Sequence, residues 1–278
     1  MIPPIASRFI AGTSTTDAFE YTRNINRDGL GAILNLLGEH YDERPSADED
    51  VDAYVELIHD IADTDLDACV SVKPSQIGID VEPSVFVDNL HRITNKATTQ
   101  DVFLWVDMED HTTTDITLDA VESVAGMQDN CIGVCVQANL KRTRDDLQRL
   151  ADVPVKVRLV KGAYNEPASI AYTDKAYVNE QYRELLELMF CEFDNGIAVG
   201  SHDPQMISLA TDLHMEYNTD FEYQMLMGVR EDAQRNLAKT YDTWQYVPYG
   251  SKWPSYFYRR LTERKENLLF AARAVLGR

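Results

Sequence analysis

The sequence predicts a (β/α)8 TIM-type barrel, and three observations carry that expectation. Eight short β-branched and apolar runs recur along the 278 residues, amphipathic stretches separate them, and no Gly-x-Gly-x-x-Gly follows any of them. Strands that read as near-continuous apolar runs are covered on both faces, and strict strand–helix alternation implies parallel pairing. Eight such units indicate closure, while the missing glycine fingerprint argues against a doubly wound dinucleotide-binding sheet.

In order, the strand-like runs are 32–37 (Ala-Ile-Leu-Asn-Leu-Leu), 68–73, 102–107, 132–137, 155–160, 197–201, 221–226 and 243–247. Between them lie helix-like stretches at 48–63, 84–94, 118–128, 143–151, 179–194, 204–216 and 231–237, and a final helix is expected over 253–276. The first of these has Val51, Tyr54, Val55, Ile58 and Ile61 at helical spacing. With 44% hydrophobic residues the chain can bury a large core, and no Pro/Gly/Ser-rich linker divides it. Residues 1–278 therefore read as a single barrel domain.

Acidic residues outnumber basic ones 46 to 26, giving a net charge of -20, and the basic set holds 9 Lys against 17 Arg. Such a surface repels nucleic acid and anionic membranes. The acids are spread along the whole sequence, so the expectation is a halophile-like surface that stays hydrated in concentrated salt. The amino terminus lacks a signal-peptide pattern and no apolar run is long enough to span a bilayer, which points to the cytoplasm. Cys69, Cys131, Cys135 and Cys191 are expected as thiols; in a strand the four-residue spacing of Cys131 and Cys135 separates them by about 13 Å, too far for a bridge.

Barrel chemistry sits at the C-terminal strand ends. Lys73, Asp107, Gln137, Arg158, Lys161, His202, Gln224 and Tyr246 fall there, so all should face one mouth. Arg158-Leu-Val-Lys161-Gly162-Ala163-Tyr164 sets two cations three residues apart before two small residues that would let a flat anionic cofactor approach the backbone. Near the end, Tyr256-Phe-Tyr258-Arg259-Arg260 places two guanidinium groups behind aromatic residues, a donor set suited to a carboxylate. Asp107-Met-Glu109-Asp110-His111 could be read as a metal cluster, but successive residues at a strand end point apart, and no metal is expected.

Over most of its length the chain resembles the proline dehydrogenase family. The blocks in common, in order, are Gly31-Ala-Ile-Leu-Asn-Leu-Leu-Gly38-Glu39, Ser71-Val-Lys73, Asp107, Val136-Gln137-Ala138, the block at 158–164, Tyr172-Thr173-Asp-Lys175, Ser201-His202-Asp203, Phe221-Glu-Tyr-Gln224-Met-Leu226-Met-Gly228, Tyr246-Val-Pro-Tyr-Gly250 and Tyr256-Phe-Tyr-Arg259-Arg260-Leu-Thr-Glu263. The resemblance implies a distorted barrel with the last helix packed over its C-terminal mouth. It implies FAD-dependent oxidation of L-proline to Δ1-pyrroline-5-carboxylate by hydride transfer to flavin N5, with electrons passed to a quinone. That reaction is the first step of proline catabolism to glutamate. Transient contact at the inner face of the cell membrane would serve the quinone.

By the same resemblance Arg259 and Arg260 would bind the proline carboxylate, assisted by Lys73, while Tyr246, Tyr256, Leu226 and Ala163 would enclose the ring. Asp107 and Arg158 take the catalytic positions, Asp107 by holding Tyr246 and Arg158 near the reactive edge of the isoalloxazine. Met108, Gln137, Arg158, Val160, Lys161, Gly162 and Ala163 would contact the flavin; Thr173, Lys175, Ser201, His202, Gln224 and Glu263 would reach its ribityl, pyrophosphate and adenosine parts. The chain departs from the family's usual Thr-His-Asn with Ser201-His202-Asp203, which brings a negative charge toward the cofactor region. Two other readings fit a barrel: a Schiff-base aldolase using Lys73 or Lys161, and a non-catalytic scaffold.

Overall fold

The computed structural model describes residues 2–3, 6–126, 131–194 and 196–263, the side chains of 259–263 excepted. Eight parallel strands close into a barrel in chain order. They are β1 (Gly31–Leu36), β2 (Ala68–Val72), β3 (Leu104–Val106), β4 (Ile132–Gln137), β5 (Lys156–Val160), β6 (Ile197–Gly200), β7 (Phe221–Leu226) and β8 (Thr243–Tyr249). Closure comes from β1, which pairs with β2 through Ala32 opposite Ala68 and with β8 through Gly31 opposite Trp244. Each strand expected from sequence is present within two residues at either end. The shortest is β3, whose partners in β2 and β4 reach only Leu104 to Val106, so Val102 and Phe103 precede the ladder.

Helices α2 (Arg44–Ala62), α3 (Pro83–Gln100), α4 (Thr114–Ala125), α5 (Thr143–Leu150), α6 (Lys175–Glu192), α7 (Pro204–Tyr217) and α8 (Glu231–Leu237) fill the crossovers, and α9 (Trp253–Glu263) follows β8. Their starts obey local chemistry. Arg44 and Pro45 open α2 four residues before the apolar stripe suggested, because proline's fixed φ suits a first helical turn. Asp174 caps α6 by accepting from Ala176 and Tyr177 amides, and Asp203 caps α7 by accepting from Gln205. Of the final helix expected over 253–276, the part beyond Glu263 lies outside the described residues.

One helix went unread in the sequence. Thr15–Arg27 forms α1 ahead of β1, closed by a capping box between Ser14 and Asp17, with Ala18, Phe19, Thr22 and Ile25 buried. A polar chain ties it to the barrel: Tyr21 donates to Gln245 at 2.7 Å, and Gln245 donates to Gln234 of α8 at 2.7 Å.

Packing divides into two layers. Between helices and strands, Tyr54, Leu57 and Ile58 of α2 join Val70 and Val72 of β2 in one extended core. Inside the barrel a smaller cluster holds Ile33, Cys69, Trp105 and Ala198, with Phe103, Trp244 and Tyr246 packed against it. Trp105 needs Gly133 as its neighbour, since a Cβ there would lie 2.5 Å from the indole. All four cysteines are free thiols.

Candidate active site

Period-two alternation decides which side chains enter the barrel. On β5, Lys156 and Arg158 point inward; on β3, Trp105 and then Asp107 at the strand's end; on β7, Glu222 and Gln224; on β8, Trp244 and Tyr246. Their mutual contacts below establish this.

Asp107 is the hub. Its carboxylate accepts hydrogen bonds from Ser71 Oγ at 2.7 Å, from Tyr246 Oη at 2.6 Å and from the Arg158 guanidinium, with Lys73 Nζ 3.5 Å away. Burial pushes the carboxyl up, but Arg158 and Lys73 together with the Tyr246 and Ser71 hydrogen bonds outweigh it and hold Asp107 below its ordinary value. Tyr246 moves the other way: burial first, then the Asp107 charge, raise its phenol well above the usual range, so it remains a neutral donor. Lys73 also donates to Asn35 Oδ1 at 3.2 Å and Tyr246 Oη at 3.4 Å.

Arg158 is fixed on edges and faces. Besides Asp107 it donates to Gln224 Oε1 at 2.9 Å, and its guanidinium lies 5.0 Å from the Trp105 ring centre and 5.8 Å from that of Tyr246. Asp107, Arg158, Lys73, Tyr246 and Gln224 thus form one connected group drawn from five strand ends.

A second group lies along the rim. Lys161 Nζ donates to Asn179 Oδ1 at 2.6 Å and pairs with Asp203 at 2.7 Å. Asp203 sits below its ordinary value because the Lys161 hydrogen bond, the α7 backbone and nearby lysine charge exceed the opposing effect of burial. The charge that departs from the family pattern therefore has two local duties, capping α7 and holding Lys161. His202 accepts from the Leu226 amide at Nε2, 3.1 Å away, and its carbonyl accepts from Arg230 at 2.5 Å. Ser201 Oγ accepts from the Asp203 amide at 3.2 Å. Ala163, Thr173 and Lys175 are exposed, while Val160 and Leu226 are half-buried.

Gly162 has a backbone reason beside the one its sequence suggested. Its φ is +100° and a Cβ would fall 2.0 Å from Asn139 Oδ1, so backbone shape and the Asn139 amide already exclude a side chain there, without a ligand. The Asn139 oxygen is buried with no hydrogen-bond partner among the described residues.

Residues 107 to 111 scatter. Asp107 enters the barrel, Glu109 accepts from the Ser75 amide at 2.6 Å and from Ser75 Oγ at 2.8 Å, Asp110 caps the Thr112 amide, and His111 pairs with Glu166. Glu109 is grouped instead with Glu39 and His40, their ligand atoms within 4.8 Å of one another. Met108 is buried, and Gln137 donates to the Glu109 carbonyl at 2.8 Å. Tyr256 packs with Ala6, Ile10 and Leu37. The side chains of Arg259, Arg260 and Glu263 lie outside the described residues, although all three belong to α9.

Sequence reasoning passed over Asn35, Trp105, Asn179 and Glu222. Asn35 and Glu222 had a readable signal, a polar residue inside an apolar strand. Asn179 had none.

The model of the family described as "Proline dehydrogenase" matches residues 18–273. Proline dehydrogenase 1 of Bacillus subtilis (strain 168) is 34% identical over 275 residues, covering 98% of this chain and 90% of that protein. The proline dehydrogenase of Deinococcus radiodurans is 34% identical over 280 residues at the same coverages. In fold the barrel is similar to proline utilization A from Bdellovibrio bacteriovorus, with a TM-score of 0.86 at 22% identity over 94% of this chain, which spans 33% of that longer protein. On the family match and these relatives, the chain belongs to the proline dehydrogenase family.

Proposed function

We propose that the protein oxidises L-proline to Δ1-pyrroline-5-carboxylate with FAD as its resident cofactor and a quinone as electron acceptor. Family membership makes it an oxidoreductase of proline catabolism. The observation that carries the finer reading is the Asp107 hub, which fixes Arg158, Tyr246 and Lys73 at one mouth with every buried charge partnered.

The residues present fit a flavin nucleotide. An orphaned buried oxygen on Asn139 beside Gly162 offers an acceptor to an incoming N–H or hydroxyl, and Lys161 and Lys175 supply positive charge for phosphate. Gln137, Arg158, Gln224 and His202 would hold the rest. When bound, the flavin supplies the acceptor for the electron pair of the C–H bond beside the ring nitrogen.

The chain's own residues do the remaining work. Arg259 and Arg260 bind the carboxylate, Lys73 adds a third cation, and Tyr246 walls the ring. Asp107 is a poor base, because its donors hold it ionised; it anchors the Tyr246 phenol and the Arg158 guanidinium instead. The amine proton leaves because a closed pocket disfavours an ammonium. No helix among the described residues is long and apolar enough to cross a membrane, and in this reading electrons reach the quinone through transient docking.

The test is a visible spectrum of the purified protein, followed by anaerobic L-proline in high salt. A flavin band that bleaches supports the reading, and a colourless protein that gains no band with FAD rejects it. Reoxidation by quinone analogues is expected; efficient reoxidation by NAD alone would remove the acceptor assignment.

A further inference from the structure

Beneath the Asp107 group the barrel interior carries a column of polar side chains whose lower members, Lys156 and Glu222, substrate and cofactor binding leave unexplained. At its floor Lys156, the first residue of β5, pairs with Glu222 of β7 at 2.8 Å and lies 5.1 Å from the Phe103 ring centre. Glu222 is 5% exposed, and its other oxygen accepts from Gln224 Nε2 at 2.6 Å. Gln224 Oε1 then accepts from Arg158. The column thus runs from the barrel floor to Asp107 and Tyr246.

Interior layers of such barrels are filled by branched apolar residues in most cases. Glu222 is buried but 41% of the Lys156 side chain is exposed, and a pair open to solvent on one side adds little stability. Stability therefore does not account for Lys156 and Glu222. Orientation does. A carboxylate only accepts hydrogen bonds and a guanidinium only donates them, so an amide between them satisfies both in one of its two orientations. With Glu222 below, the Gln224 NH2 must point down and its oxygen up to Arg158. Without the carboxylate the amide oxygen still prefers the guanidinium, but its NH2 loses its anchor and the side chain can swing off Arg158.

We infer that Glu222 is a positioning residue, which fixes Arg158 at the mouth by anchoring the Gln224 amide, with Lys156 balancing its charge. The inference rests on the flavin reading, in which Arg158 lies beside the cofactor. A guanidinium held there by four partners is preorganised toward the charge that develops on reduction.

The experiment uses FAD-loaded wild type, Glu222→Gln, Gln224→Met and the double variant. Measured are the anaerobic rate of flavin reduction by L-proline, half-saturation for proline, and the flavin reduction potential by dye equilibration. Glu222→Gln keeps the shape but frees the amide; the reduction rate should fall about tenfold and the potential shift, with half-saturation within about twofold. In the Gln224→Met background the same change should add nothing, because the link is already cut. A Glu222→Gln protein of lower thermal stability but unchanged rate and potential would make the residue structural only and overturn the inference, as would additive effects in the double variant. If Glu222→Gln does not fold, Gln224→Met alone must slow reduction and shift the potential, and no change overturns the link. A wild-type protein without flavin overturns the reading beneath the inference; normal wild-type holoenzyme with unaffected variants overturns the role of Glu222 alone.

Discussion

Tyr246 donates its phenol to Asp107 at 2.6 Å, joining the end of β8 to the end of β3 across the barrel mouth. Neither residue could be exchanged without unbalancing the other. Asp107 is mostly shielded, 15% of its side chain exposed, and relies on its donors, while burial and then that same carboxylate hold Tyr246 neutral.

Tyr246→Phe removes one donor and leaves the ring. The lost hydrogen bond to a mostly shielded carboxylate should lower stability by about 1–3 kcal/mol. Urea unfolding of the two proteins checks this. An unchanged midpoint and slope would mean that Asp107 recruits water in place of the phenol.

Asp107 also sets an acid limit. Its folded value is lowered from the ordinary 3.8, so its contribution to stability is present above that value and lost as pH falls through the folded one. Asp107→Asn lacks the contribution at every pH and leaves Arg158 and Lys73 underbalanced. The stability gap between wild type and variant should be constant at neutral pH and close progressively below about pH 4. Unfolding curves across that range test the sign: a gap that widens in acid would show that Asp107 is not held ionised.

Gly162→Ala should destabilise the protein by more than about 1 kcal/mol, since its φ of +100° strains any side chain and the new methyl meets Asn139. Trimming the neighbour, as in Gly162→Ala with Asn139→Ala, relieves the contact but not the backbone strain. Thermal unfolding should therefore recover only in part. Full recovery would assign the glycine to crowding alone.

Much of this fold was legible because barrel strands are buried on both faces and announce themselves as apolar runs. Val155 to Val160 and Ile132 to Gln137 could hardly be anything else. Helix α1 was not legible by that route, because it precedes the first strand and its sequence is mostly polar; only the Ser14 and Asp17 capping pair marked it. The strand-end rule gathered Lys73, Asp107, Arg158, Gln224 and Tyr246 before their contacts were known. It could not supply Asn179, which reaches Lys161 from inside α6, nor the α7 cap and lysine pairing that employ Asp203. Those depend on how helices sit against the barrel, which strand pattern does not encode. Nor did strand pattern announce that Tyr256 packs with Ala6, Ile10 and Leu37.

Salt dependence follows from a competition between two electrostatic effects. The net charge of -20 comes from acids dispersed along the chain, so its self-repulsion acts over long distances. The attractive pairs are short: Lys161 to Asp203 is 2.7 Å and Arg235 to Asp28 is 2.9 Å. The screening length falls from about 10 Å at 0.1 M salt to about 3 Å at 1 M, which removes most of the long-range repulsion but weakens contacts of this length only by about half. The unfolding midpoint should therefore rise steadily as KCl is raised toward molar concentrations. Lys161→Met with Asp203→Asn, which deletes a pair of opposite charges and leaves the net charge unchanged, should show the same rise. A midpoint that falls with KCl would mean that the short pairs dominate, and the acidic surface would then have to be explained by something other than adaptation to salt.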